Sequence, residues 1–93
     1  MSSIIYQANP DVSCRVEAPA EGAILFNPDT SAVLAINNTG LELWRALANP
    51  TSPEDLVTLL LASYEDAPAE QLTNDVQSYL QALLPGGFIG QVL

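Results

Sequence analysis

The densest pattern in this chain lies between residues 22 and 48. Two short apolar runs, 23–26 and 32–36, flank Asn27-Pro28-Asp29-Thr30-Ser31, where a proline and Asx side chains favour reversal of the chain. The pattern predicts an antiparallel hairpin over residues 22–37. In its second strand Val33 and Ala35 alternate with Leu34 and Ile36, so both faces are apolar and the strand is expected to be covered on both sides. Thr39 and Glu42 follow at the spacing of a capping box. They predict a helix over 40–48 with Leu41, Trp44, Leu47 and Ala48 on one face.

Upstream, Cys14 and Val16 alternate with Arg15 and Glu17, which predicts a half-buried strand over 13–17. Residues 18–22 read as a connection and residues 1–12 as an irregular lead-in. Downstream, Ser52-Pro53-Glu54-Asp55 combines a capping hydroxyl, a proline suited to the first turn and two carboxylates at the positive end of the helix dipole. A second helix is therefore expected over 53–64, with Leu56, Leu59, Leu60 and Tyr64 along it. Leu72, Val76, Tyr79, Leu80, Leu83 and Leu84 recur in steps of three and four, predicting a third helix over 69–84. Pro85-Gly86-Gly87 stops it, and residues 88–93 read as a short extended tail. The order is three strands followed by three helices, in one domain spanning residues 1–93.

Composition narrows the partners. Hydrophobic residues make up 48% of the chain and charged residues only 14%, which points to apolar surface left for a partner. Eleven acidic residues stand against Arg15 and Arg45, with no lysine, for a net charge of −9. Affinity for a phosphate backbone comes mostly from cations, so the charge argues against nucleic acid as a ligand, while basic partner surfaces are favoured. No apolar run is long enough to span a bilayer, and no basic region precedes an apolar one at the N-terminus. The expectation is a soluble, cytoplasmic protein without membrane contact.

The chemistry-bearing side chains are few. One cysteine and no histidine leave no disulfide within the chain and no zinc or iron–sulfur site of the usual kind, so neither metal nor cofactor is expected. Without histidine a general base near neutral pH would have to be a strongly perturbed carboxylate. The pairs Glu54/Asp55 and Glu65/Asp66 sit at helix ends and read as solvated caps. Cys14, on the apolar side of its strand, reads as a buried structural thiol. Trp44 reads as core. Tyr79 fits either the core margin or contact with a bound chain. No catalytic residue is expected.

The ordered set of marks resembles the PqqD-like family, the RiPP recognition elements. These marks are Leu25-Phe26-Asn27-Pro28 through Thr30, Ile36-Asn37, Thr39-Gly40, Leu43-Trp44 and Asp55-Leu56, then Tyr64, Pro68, Asp75-Val76, Tyr79-Leu80, Leu83 and Gly87-Phe88-Ile89. The resemblance implies an α+β, winged-helix-like fold: an N-terminal three-stranded antiparallel sheet followed by three α-helices. It also implies a non-catalytic chaperone that holds the leader segment of a ribosomally synthesised precursor peptide. The leader would lie as an added strand along Ala32, Val33, Leu34, Ala35 and Ile36, against a helical wall drawn from Leu72, Asp75, Val76, Tyr79 and Leu83. The further partner implied is a peptide-modifying enzyme such as a radical-SAM enzyme, a cyclase or a leader peptidase. The chain departs from the family pattern at Ala67, where an acidic residue usually precedes the proline, and at Pro85-Gly86, where polar or basic residues are common.

Two other classes share features with this sequence. A winged-helix DNA-binding or regulatory domain fits the order of elements but not the charge. An acidic carrier protein fits size and charge, but the chain has no Asp-Ser attachment pair and its first half is rich in strand.

Overall fold

A computed structural model describes residues 4–16 and 22–92. The elements in chain order are β1 (Ile5–Ala8), β2 (Ser13–Val16), β3 (Ala23–Asn27), β4 (Ala32–Ile36), α1 (Asn38–Ala46), α2 (Pro53–Ser63), α3 (Ala69–Leu83) and β5 (Ile89–Val92). The fold is α+β, with three helices and two antiparallel sheets, one ordered β2-β3-β4 and the other pairing β1 with β5.

The hairpin forms where the turn chemistry puts it. Asn27 pairs with Ala32 across Pro28–Ser31, and its side-chain oxygen accepts the Asp29 amide at 3.0 Å, closing an Asx turn. The side-chain nitrogen of Asn27, Nδ2, donates to the Gly86 carbonyl at 2.8 Å, and Thr30 Oγ1 donates to the same oxygen at 3.0 Å. The turn that reverses the hairpin is thereby tied to the turn that ends α3. Asn27 is buried, and with both ends of its side chain bonded it carries no desolvation penalty for an unpaired group.

The fold corrects the sequence expectations for the N-terminal segment, the first helix cap and Cys14. Residues 1–12 are not an irregular lead-in: β1 pairs with β5 in the register Ile5↔Val92 to Ala8↔Ile89. Tyr6 exchanges backbone bonds with Thr51 at 2.9 and 2.8 Å, and the Ala8 amide reaches the Leu47 carbonyl at 2.8 Å. Local alternation could not reveal this strand, because its partner lies at the other end of the chain.

The first helix is capped by Asn37, not Thr39. Asn37 Oδ1 accepts the Gly40 amide at 2.8 Å, so the helix begins two residues earlier than the capping-box spacing implies. The Thr39 hydroxyl instead meets the Tyr64 hydroxyl at 3.0 Å, and the Glu42 carboxylate accepts from Ser63 Oγ at 3.2 Å. Both side chains therefore link α1 to the end of α2.

Cys14 is exposed, not buried. β2 is an edge strand, and all four of its residues face solvent. What burial remains around the thiol raises its pKa above the ordinary value, with Arg45 opposing.

The other two helices begin as expected. Ser52 Oγ accepts the Asp55 amide at 3.1 Å ahead of Pro53. α3 starts after Pro68, which occupies the N-cap position and has no side-chain acceptor to offer the first turn. Leu25, Leu47, Leu56, Leu60, Val76 and Leu83 are fully buried at the centre, and Trp44 is buried with them. Each such aliphatic side chain contributes roughly 1.5–3 kcal/mol of transfer free energy. After α3 the chain reverses through Gly87, whose φ of 72° lies in the left-handed region, and delivers Phe88 and Ile89 into the same core.

Candidate functional site

The sheet order β2-β3-β4 leaves β4 with one side unpaired within its sheet. The direction of its backbone groups follows from two neighbours. A Cβ on Gly22 would collide with the Ile36 carbonyl oxygen, so that carbonyl points toward β3. At the other end, the Ala32 amide is held by Thr30 Oγ1 within the turn at 3.2 Å. Amide and carbonyl of successive residues in an antiparallel strand point alternately to the two sides. Ala32, Leu34 and Ile36 therefore face β3, while Val33 and Ala35 present N–H and C=O groups to the open edge.

The side chains of β4 divide the other way. In the register Cys14↔Leu25↔Leu34, Leu25 is fully buried, so Leu34 lies on the inner face with it. Val33 and Ala35 lie on the outer face, where Val33 is 64% exposed. The expectation that β4 is covered on both sides is thus corrected: its inner face packs on the core, and its outer face meets solvent.

The C-terminal part of α3 and the turn after it approach the two ends of β4. Near the start of β4, a Cβ on Gly86 would lie 3.2 Å from the Ala32 Cβ, just beyond the C-terminus of α3. Near the end of β4, Gly40 lies between Ile36 and the Tyr79 ring: a Cβ there would be 3.0 Å from the Ile36 Cβ and 3.2 Å from Tyr79 Cε1. The Tyr79 hydroxyl donates to the Gly40 carbonyl at 2.8 Å. Ala32, Leu34 and Tyr79 are partly buried hydrophobic side chains packed against the core from this side. At the Ile36 end the surface dips into an open pocket of about 470 Å³. Leu43 and Leu60 supply apolar lining there, and Asn37, Thr39, Gly40, Asp75, Ser78 and Tyr79 complete its walls.

The ten residues proposed from sequence therefore separate by position. The five of β4 form one continuous edge. Of the helical five, Asp75 and Tyr79 line the pocket, whereas Leu72, Val76 and Leu83 are buried in the core and support the helix from beneath. Ser78, Asn37, Thr39 and Gly40 join the pocket without having been singled out as site residues. Ser78 follows Asp75 by three positions and precedes Tyr79 by one, so the row along the margin of the α3 stripe carries the signal.

Burial holds the Tyr79 hydroxyl well above its ordinary pKa, with proximity to Cys14 a smaller cause in the same direction. The group stays protonated at neutral pH and acts as a fixed donor to Gly40. Among the described residues no group of three or more histidine, cysteine, aspartate or glutamate side chains is placed to hold a metal ion. No helix among them is long and apolar enough to cross a membrane.

The arrangement defines a class: an α+β fold whose open strand edge runs beside a helix. The chain belongs to the PqqD family. Residues 22–89 match the family model described as Coenzyme PQQ synthesis protein D (PqqD), which takes in the hairpin, the three helices and the start of β5. Solved structures that share the fold include the following two. TbiB1 in complex with the TbiA(beta) leader peptide superimposes with a TM-score of 0.78 at 17% identity, covering 94% of this chain and 98% of that one. Lasso peptide synthetase B1 complexed with the leader peptide gives 0.72 at 18% identity, covering 91% and 96%. A search of curated protein sequences finds no match.

Proposed function

We propose that this protein is a RiPP recognition element: a non-catalytic peptide-binding chaperone, acting as one unit over residues 1–93. It holds the leader segment of a ribosomally synthesised precursor as an added strand on β4. The observation that carries the reading is the open edge of β4, with two outward amide–carbonyl pairs at Val33 and Ala35, running beside α3 in a chain of the PqqD family. Main-chain bonds to such an edge supply affinity, and side-chain pockets beside it supply selectivity. Both structural neighbours were solved with a leader peptide bound, which supports the same use of the fold here. In this reading the β2-β3-β4 sheet and the helices form a winged-helix-like frame, with Asp75, Ser78 and Tyr79 as the helical wall. The protein works in the cytoplasm without a cofactor and presents the leader to a modifying enzyme such as a radical-SAM enzyme, a cyclase or a leader peptidase. The net charge of −9 favours a leader with basic residues and disfavours the DNA-binding alternative.

The test is to pan a displayed library of random peptides against the immobilised protein and titrate an enriched peptide into ¹⁵N-labelled protein. Amide shifts concentrated at residues 32–36 and 75–79 are expected. Shifts confined to α2 and β2, with β4 silent, would rule out strand addition even though a peptide binds.

A further inference from the structure

The outer face of the β2-β3-β4 sheet carries an apolar patch that the core does not use. It consists of Phe26, Val33, Ile24 and Ala35, the apolar members of two cross-strand rows, Ser13–Phe26–Val33 and Arg15–Ile24–Ala35, whose β2 ends are polar. Phe26 is 39% exposed and Val33 64%, the most exposed large hydrophobic residue among those described. Both rows end at β4 on the two residues whose backbone groups face the open edge. That coincidence is geometric. Any chain that bonds to Val33 and Ala35 places the residues opposite them on the same face as Val33 and Ala35, with β-carbons about 4.5–5.5 Å apart. The residue between those two must point to the inner face, beside Leu34. This parity holds whether the added strand runs parallel or antiparallel.

We propose that a bound leader is read on both faces, with Val33 the residue that sets specificity on the outer one. This deepens the peptide-binding reading and rests on it. The leader residue opposite Val33 becomes the fourth member of the row Ser13–Phe26–Val33 and is apolar, β-branched or aromatic, because it extends an exposed valine and phenylalanine. The residue opposite Ala35, two positions away, meets only a methyl group and is weakly selected. The occupant of the patch is the outward side of the leader itself, continuous with the edge it pairs with.

The experiment pans the same random-peptide library against the wild type and against Val33→Glu, a change at an exposed side chain. Melting curves and far-UV circular dichroism check the fold, and Val33→Thr serves as a milder variant. The wild type is expected to enrich an apolar residue at one position of the consensus, and Val33→Glu to replace that residue alone with lysine or arginine. Binding of the best wild-type peptide should fall about fivefold in Val33→Glu, the scale of one cross-strand pair, and less in Val33→Thr. A consensus that is the same for all three proteins would overturn the outer-face reading and leave strand addition standing. A wild type that enriches no consensus would overturn both. A concentration-dependent dimer of the wild type that Val33→Glu abolishes would assign the patch to a second copy of the chain and overturn the inference as well.

Discussion

Two proline substitutions one residue apart should have opposite consequences. In Ala35→Pro, the lost N–H faces the open edge and the lost side chain is an exposed methyl group, so little of the fold depends on either. The residue before it is already extended, as a proline requires. The cost to stability should be about 1 kcal/mol or less. In Leu34→Pro, the lost N–H faces β3 opposite Leu25, which is fully buried. Leaving that carbonyl unpaired costs about 1–3 kcal/mol, and removing a half-buried leucine side chain adds about 1–2. The midpoint of melting should then fall by at least about 10 °C, at roughly 4–8 °C per kcal/mol for a domain of this size. For binding the order reverses. Ala35→Pro removes one donor to the added strand, and the ring blocks the close approach of its neighbours. Together these should weaken an enriched peptide about tenfold or more. Melting followed by circular dichroism and a fluorescence-anisotropy titration of labelled peptide read both effects, with Val33→Pro as a second edge variant and Glu54→Gln as a substitution outside the site. If Ala35→Pro unfolds the hairpin and Leu34→Pro does not, the assigned parity of β4 is inverted. If it folds and binds as the wild type does, the peptide does not pair with this edge.

Three further outcomes follow from named contacts. Because the Tyr79 pKa is higher folded than unfolded, the unfolded chain binds fewer protons above about pH 10, so stability falls as pH rises there, by up to about 1.4 kcal/mol per pH unit. Tyr79→Phe should remove that part of the alkaline slope, and pH-dependent denaturation of both proteins checks it. Asn27→Ala deletes the bonds to Gly86 and Asp29 and should cost about 1–3 kcal/mol, read as a lower denaturation midpoint; an unchanged midpoint would mean that Thr30 alone holds the two turns together. Chelator and reductant should leave the melting curve unchanged, since the chain has one cysteine and no histidine; a clear shift with chelator would reveal a carboxylate-bound cation.

What the sequence made legible was local. The hairpin could be read because Asn27, Pro28 and Asp29 each act within a few residues, and the second helix because Ser52 caps the amide three positions on. The start of the first helix was ambiguous, because Asn37 and Thr39 are both capping residues two positions apart. Only tertiary structure shows that Thr39 is engaged by Tyr64 and leaves the cap to Asn37. β1 was hidden because its pairing with β5 joins the two ends of the chain. For the candidate site, the family resemblance named Leu72, Asp75, Val76, Tyr79 and Leu83, and three of these, Leu72, Val76 and Leu83, belong to the buried stripe that helical periodicity picks out. A wall facing a groove lies at the margin of such a stripe, and that is where Asp75, Ser78 and Tyr79 stand. The parity of β4 depends on where one carbonyl points, which no pattern of side chains encodes.

The two edges of the larger sheet are treated differently. An exposed edge invites pairing with stray chains, and proteins usually blunt it with charge, proline or a bulge. β2 carries Arg15 on its outer face. β4 reads Ala-Val-Leu-Ala-Ile, with no charge and no proline within it, and all five of its residues pair with β3 without a bulge. An edge this regular and apolar is an aggregation hazard unless something occupies it, and the chain carries eleven acidic residues against two basic ones. The acidic field keeps copies of the protein apart while leaving the edge open to a chain of opposite charge. Resistance to aggregation alone would favour a lysine on β4. Its absence suits an added strand with an apolar outer face, because a charged side chain at Val33 or Ala35 would lie beside the residues that a bound leader turns to that face.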